Sequence, residues 1–283
     1  MMNWAELESI NLIFCTGSPK SGTTFLQMIL NNHPEVSCPP EVALTGVLNH
    51  IKTMINSINK SFEDIDKKTA NQGAVRLEED DTFELFKFIT RLIAYKGSLR
   101  HKKQVKYFGL NENEIVIFNK FDLYLKLFPK VKFLIIIRDP RSIAVSSWYH
   151  NLRTELGFKE KLKDLNNWAS FVAKFWKKET GNIVEFVKKA DKETVFICRY
   201  EDLVLNPFEN YKKIFEFLKV STDKKVIEKV IDNTSFKKLK DGKFFRKASI
   251  DDWKNELSPL AIKEIEQTCG DFMQLFGYKT MYW

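Results

Sequence analysis

The stretch Gly17-Ser18-Pro19-Lys20-Ser21-Gly22-Thr23-Thr24 decides the reading of this chain. It follows the apolar run Asn11-Leu12-Ile13-Phe14-Cys15-Thr16, and it precedes Phe25, Leu26, Ile29 and Leu30, which are spaced as one face of a helix. A buried strand, a glycine turn and a helix start bring successive backbone N–H groups and a helix N-terminus onto one point, where an anion is held. Gly17 and Gly22 keep the G-x4-G spacing of the nucleoside-triphosphate loop, but Thr23 stands where that loop requires lysine. The lysine is Lys20, inside the turn. No strand ends in an aspartate placed to hold magnesium, so a P-loop small-molecule kinase is the less favoured alternative.

Working outward, three more runs read as strands covered on both faces: residues 114–119, 131–137 and 194–199. Helical patterns separate them, at 44–58, 82–94, 142–152, 168–189 and 259–276. Strands alternating with helices imply parallel pairing. The expectation is an α/β, P-loop-type three-layer fold, with a central, mainly parallel sheet flanked by helices. No repeat or Gly/Ser/Pro linker divides the chain, so residues 1–283 read as one domain. The polar stretches 59–81, 157–167 and 237–252 read as loops or insertions, where binding elements concentrate.

Composition narrows the function classes. Lys and Arg exceed Asp and Glu by 45 to 37, which suits an anionic ligand, but the signs are mixed along the chain and nucleic acid is not favoured. Cys15, Cys38, Cys198 and Cys269 have no CxxC spacing; they read as buried thiols of a reducing, cytoplasmic compartment rather than disulfides or metal ligands. No apolar run approaches the ~20 residues of a membrane span, and residues 1–10 lack the pattern of a secretory signal. Peripheral membrane contact and oligomeric state stay open.

A second anion site follows the run 131–137. In Arg138-Asp139-Pro140-Arg141-Ser142-Ile143-Ala144-Val145-Ser146, Asp139 fits a helix cap and Pro140 the first helical position. Arg138 stands at the mouth of that helix, with Ser146 two turns inward.

Pro19-Lys20-Ser21-Gly22-Thr23-Thr24 resembles the 5′-phosphosulfate loop of the sulfotransferase family, whose donor is 3′-phosphoadenosine 5′-phosphosulfate. The resemblance implies that Ser21, Gly22, Thr23, Thr24 and the adjoining Phe25 belong to the donor's 5′ site. It further implies that Lys20 neutralises the bridging oxygen as the sulfuryl group leaves, yielding adenosine 3′,5′-bisphosphate without a metal. Arg138 and Ser146 match the arginine and serine that bind the 3′-phosphate, the group that separates this donor from ATP. Ser142 stands where many relatives carry an acidic residue. Tyr200, in Tyr200-Glu201-Asp202-Leu203, matches the tyrosine that touches adenine, and Thr234-Ser235-Phe236 is similar to the segment that stacks on it. Phe244-Phe245-Arg246-Lys247-Ala248 is similar to the basic flap over the 3′-phosphate, with Ala248 and Asp251 in place of its usual glycines. Matching segments run from about residue 14 to residue 253.

Transfer to a hydroxyl or amine acceptor needs a general base. Cytosolic relatives carry a histidine two residues after a lysine at the end of a middle strand. The comparable stretch is Asn119-Lys120-Phe121-Asp122, with Lys120 matching the lysine and Asp122 replacing the histidine. His33, in Asn31-Asn32-His33-Pro34-Glu35, reads as a structural helix end. In protein-tyrosine sulfotransferases and many bacterial enzymes a catalytic glutamate follows such a His-Pro segment, and Glu41 falls at that spacing from Lys20. Lys20 and Lys120 would stabilise charge; Glu41 or Asp122 would be the base. The acceptor expected is a saccharide, lipid-linked compound, peptide or other metabolite. The remaining alternative is a catalytically silent nucleotide-binding member of the fold.

Overall fold

The computed structural model describes residues 4–69, 72–98, 105–158, 160, 164–235, 238 and 250–283. Its strands are β1 Asn11–Gly17, β2 Val36–Ser37, β3 Tyr107–Asn111, β4 Lys132–Ile137 and β5 Val195–Arg199. The helices of the first half are α1 Trp4–Ser9, α2 Thr23–Asn32, α3 Leu44–Lys68, α4 Glu79–Ser98, α5 Glu114–Ile117 and α6 Phe121–Leu127. Those of the second half are α7 Pro140–Thr154, α8 Leu165–Lys189, α9 Tyr200–Leu205, α10 Pro207–Phe217, α11 Lys224–Thr234, α12 Trp253–Glu256 and α13 Pro259–Leu275.

The strands form one parallel sheet in the order β2-β3-β1-β4-β5. β1 pairs with β3 on one side (Cys15 opposite Asn111) and β4 on the other (Gly17 opposite Ile136). The connection leaving β1 runs toward β2, while that leaving β4 runs toward β5. The strand order therefore reverses between β1 and β4, and a crevice opens at their carboxyl ends, the usual ligand position of such sheets.

Why the strand runs are continuously apolar is visible in the packing. Successive side chains of a strand point to opposite faces. Leu12 and Phe14 of β1, with Phe133 and Ile135 of β4, enter one core. Ile13 and Cys15, with Leu134 and Ile136, enter the other, covered by Phe25, Leu26, Ile29 and Leu30 of α2. Phe14 meets the rings of Tyr124, Phe128 and Phe133 at 4.8, 5.8 and 5.9 Å. All four cysteines are free and buried.

Several expectations need correction. Residues 114–119 are not a strand: α5 occupies Glu114–Ile117. Its β-branched run imitates a strand because short apolar runs carry no usable period, yet Ile115 and Val116 are fully buried from a helix. The true middle strand, β3, lies just upstream. The polar stretch 59–81 is helical through Lys68 and again from Glu79. Much of 237–252 lies outside the described residues. Among the described residues no helix is long and apolar enough to cross a membrane.

Candidate active site

The loop after β1 closes through the Ser21 N–H donating to Ser18 O at 3.0 Å. Lys20 adopts φ 69° and Gly22 φ 104°, two left-handed residues that reverse the chain into α2. Gly22 caps α2 without a side-chain hydrogen bond, so the first N–H groups of the helix stay available to an anion. The buried Ser21 hydroxyl has no protein partner. A Cβ at Gly17 would stand 2.6 Å from that hydroxyl and 2.5 Å from Ile136 O, so glycine keeps the cradle clear. Thr23 is buried, Thr24 half-buried, Pro19 exposed, and Phe25 packs edge-on against Tyr200 at 5.9 Å.

The second helix start forms as expected from sequence: Asp139 caps α7 by accepting from the Arg141 N–H at 2.9 Å, with Pro140 first in the helix. The Arg138 guanidinium lies 4.3 Å above the Tyr200 ring and donates to Lys20 O at 3.2 Å, so it touches the first loop directly. Its buried Nε has no partner. Ser146 is half-buried on α7. Ser142 donates to Ile250 O at 2.9 Å. Asp251 is ion-paired with Lys254 at 2.8 Å, which answers its charge. Thr234 is buried at the end of α11 and bonds Val230 O (2.8 Å) and Tyr211 (3.2 Å). Phe236, Arg246, Lys247 and Ala248 lie outside the described residues.

Glu41 acts electrostatically on Lys20 and is bonded to Asn113. The segment carrying Glu41 is held on α2 by Gln27 donating to Cys38 O and Cys38 N–H donating to Asn31 (3.0 Å). It is held on β3 by Val42 N–H donating to Asn111 O (3.2 Å). Exposed Glu41 accepts from Asn113 Nδ2 at 3.0 Å. Burial lowers the Lys20 pKa; Arg153 acts in the same direction and Glu41 opposes it. His150, on α7, is also lowered, first by burial and then by Lys20 and Arg153.

Lys120 is not at a strand end. It precedes α6 at the α5–α6 corner, where its ammonium bonds Thr45 and lies 5.1 Å from the Phe118 ring centre. Burial lowers its pKa against the pull of Glu114 and Glu112. Asp122 is exposed in the first turn of α6. The strand end itself supplies Asn111-Glu112-Asn113. Glu112 is buried and accepts from the Leu44 N–H (2.7 Å) and Glu114 N–H (3.0 Å). Burial, with help from Glu114 and Glu41, pushes its pKa up to about 7.

Sequence reasoning missed Glu112 and Asn113, and also the underside of the site. Trp176 of α8 donates to Arg138 O at 3.1 Å, and Glu179, one turn on, bonds Ser18. One helix face thus underlies both the loop after β1 and the Arg138 turn.

The site therefore sets two loop-to-helix turns, each with an unpartnered buried polar atom, at the switch point of a parallel α/β sheet, with the Glu41 carboxylate near enough to act on the Lys20 ammonium. The sulfotransferase domain model matches residues 11–277, and the chain belongs to that family. It is 30% identical over 216 residues to protein-tyrosine sulfotransferase A of Caenorhabditis elegans (76% of this chain, 51% of that protein). It is also 30% identical over 211 residues to protein-tyrosine sulfotransferase 2 of Gallus gallus (74% and 51%). The chain spans about half the length of these curated relatives. The fold is shared with the sulfotransferase domain from the curacin biosynthetic pathway (TM-score 0.60, 18% identity, 96% of this chain and 99% of that one). Mouse sulfotransferase SULT7A1, solved in complex with PAP, also shares it (TM-score 0.59, 17%, 95% and 88%).

Proposed function

We propose that this chain transfers a sulfuryl group from 3′-phosphoadenosine 5′-phosphosulfate to a hydroxyl, and that the acceptor is a tyrosine in a peptide or protein. The observation that carries the reading is the pairing of cradles: an uncapped α2 start with an orphaned Ser21 hydroxyl, and Arg138 reaching across to Lys20 O. Both have unfilled hydrogen-bonding capacity suited to phosphate, and Tyr200 lies between them beneath Arg138. The donor supplies the sulfuryl group, which bonds the acceptor oxygen as its bond to the 5′-phosphate oxygen breaks and the bisphosphate leaves.

The chain supplies position and charge. Backbone N–H groups of residues 22–24 and the Ser21 and Thr hydroxyls hold the 5′ end. Lys20, at the top of the turn, neutralises charge growing on the departing phosphate oxygen. Glu41, steadied by Asn113, takes the proton from the acceptor hydroxyl. Arg138 and Ser146 receive the 3′-phosphate. Of the acceptors expected from sequence, the relatives support the peptide. Lys20 and Arg153, close enough for each to feel the other's charge, suit a tyrosine flanked by acidic residues.

Calorimetric titration with adenosine 3′,5′-bisphosphate against ATP plus magnesium tests the donor; tighter binding of ATP refutes it. Labelled donor offered to an acidic tyrosine peptide, its phenylalanine counterpart, a saccharide and a small phenol tests the acceptor. Label on the saccharide or phenol alone refutes the peptide reading.

A further inference from the structure

The backbone just after Arg138 is the meeting point of a buried ionic network that no step of the transfer uses. Arg141, 3% exposed, grips Asp139 with Nε (3.0 and 3.2 Å) and Nη2 (2.6 Å). Its Nη1 donates to Glu266 of α13 at 2.7 Å, and its Nη2 to Lys279 O at 3.0 Å. Its flat face lies 3.8 Å from the Trp253 ring centre, just beyond Ile250, whose carbonyl Ser142 holds. The other Glu266 oxygen accepts the Met281 and Tyr282 N–H groups at 2.8 and 2.6 Å. A parallel line runs through buried Glu201: one oxygen accepts the Asp139 N–H at 3.1 Å, the other the Tyr278 hydroxyl at 3.0 Å.

Three remote pieces of chain, residues 250–253, α13 and residues 278–282, therefore converge on the turn that carries Arg138. Burying this many charges is a costly way to gain stability, since apolar residues of equal volume often do better. What such a network does provide is fixed orientation, because the buried carboxylates and the guanidinium hold several partners at once. Arg138 needs that. Its guanidinium is set by the Tyr200 ring and Lys20 O, and its backbone by Trp176 on one side and the Asp139 N–H on the other.

We infer that Arg141, Glu201 and Tyr278 are positioning residues for the donor's 3′-phosphate: they hold the Arg138 turn, and through them segment 278–282 sets nucleotide specificity without touching the nucleotide. This rests on the donor reading above.

The test uses the full chain and two probes, adenosine 3′,5′-bisphosphate and adenosine 5′-monophosphate, which differ only in the 3′-phosphate. Tyr278→Phe removes one hydroxyl and leaves the ring. Losing a hydrogen bond to a charged group corresponds to about tenfold, so bisphosphate affinity falls by about that factor while monophosphate affinity stays within about twofold. Lys263→Ala, at an exposed position of α13 outside the network, leaves both unchanged. Arg141→Lys gives a larger loss of the ratio; if it fails to fold, Tyr278→Phe decides. A folded Tyr278→Phe that keeps the wild-type ratio, or weakens both nucleotides equally, overturns the inference alone. A wild-type chain that does not distinguish the two nucleotides overturns the donor reading and this inference with it.

Discussion

Replacing Gly22 by alanine strikes the point where the loop, α2 and Tyr200 meet. Gly22 has φ 104°, and a Cβ there would lie 2.5 Å from Tyr200 Cδ2 and 3.3 Å from Ile136 Cδ1. An L-residue in left-handed backbone costs about 1–2 kcal/mol, and forcing a methyl into packed surroundings costs about 1–3 kcal/mol. Together that is about 2–5 kcal/mol. Unfolding entropy near 2.1 cal/mol/K per residue gives a chain of 283 residues about 0.6 kcal/mol/K, so Tm falls by about 3–8 °C. The ring that must move also carries the Arg138 guanidinium; bisphosphate affinity therefore falls as well, by about tenfold for the loss of one charge-assisted contact. Scanning calorimetry and isothermal titration on the same preparation read both effects. Gly46→Ala is the control, a helical glycine with open space around a built Cβ, which gains about 0.5–1 kcal/mol. Gly22→Ala with wild-type Tm and affinity would refute the close-approach argument.

Three further outcomes are expected. Glu41→Gln abolishes turnover while leaving bisphosphate affinity near the wild-type value; full activity would move the base to Asp122 or elsewhere. Asn113→Ala lowers kcat by about tenfold, the worth of one hydrogen bond to a charged group, with donor KM unchanged; a rise in KM alone would refute its action on Glu41. The Glu112 pKa near 7 means that the folded chain holds a proton the unfolded chain releases near 4.5. Stability therefore falls as pH rises from about 4.5 to about 7, by about 3 kcal/mol in full, and stays lost above. Glu112→Gln removes that slope even though it lowers stability at acid pH, and parallel urea-midpoint curves for the two proteins would contradict the assignment.

What could be read before the structure was local. The β1–loop–α2 unit and the Asp139-Pro140-Arg141 helix start each lie within one short stretch, where strand period, glycine and cap residues act on near neighbours. The Ile115-Val116-Ile117 run misled because three β-branched residues suit either a strand or a short buried helix. That error displaced the middle strand, and with it the strand-end position: Lys120 was placed there, whereas Glu112 and Asn113 occupy it. Contacts between residues far apart in sequence left no local pattern at all. Trp176 beneath Arg138, Glu179 on Ser18, and Ser142 on Ile250 exist only once the sheet brings those elements together.

Cys15 lies against the first turn of α2, its Sγ 3.6 Å from Thr23 O, and burial raises its pKa well above the ordinary thiol value. A sulfhydryl so sealed reacts with an alkylating reagent only in molecules whose cradle has momentarily come apart. Its modification rate is thus a built-in clock for the opening of that turn.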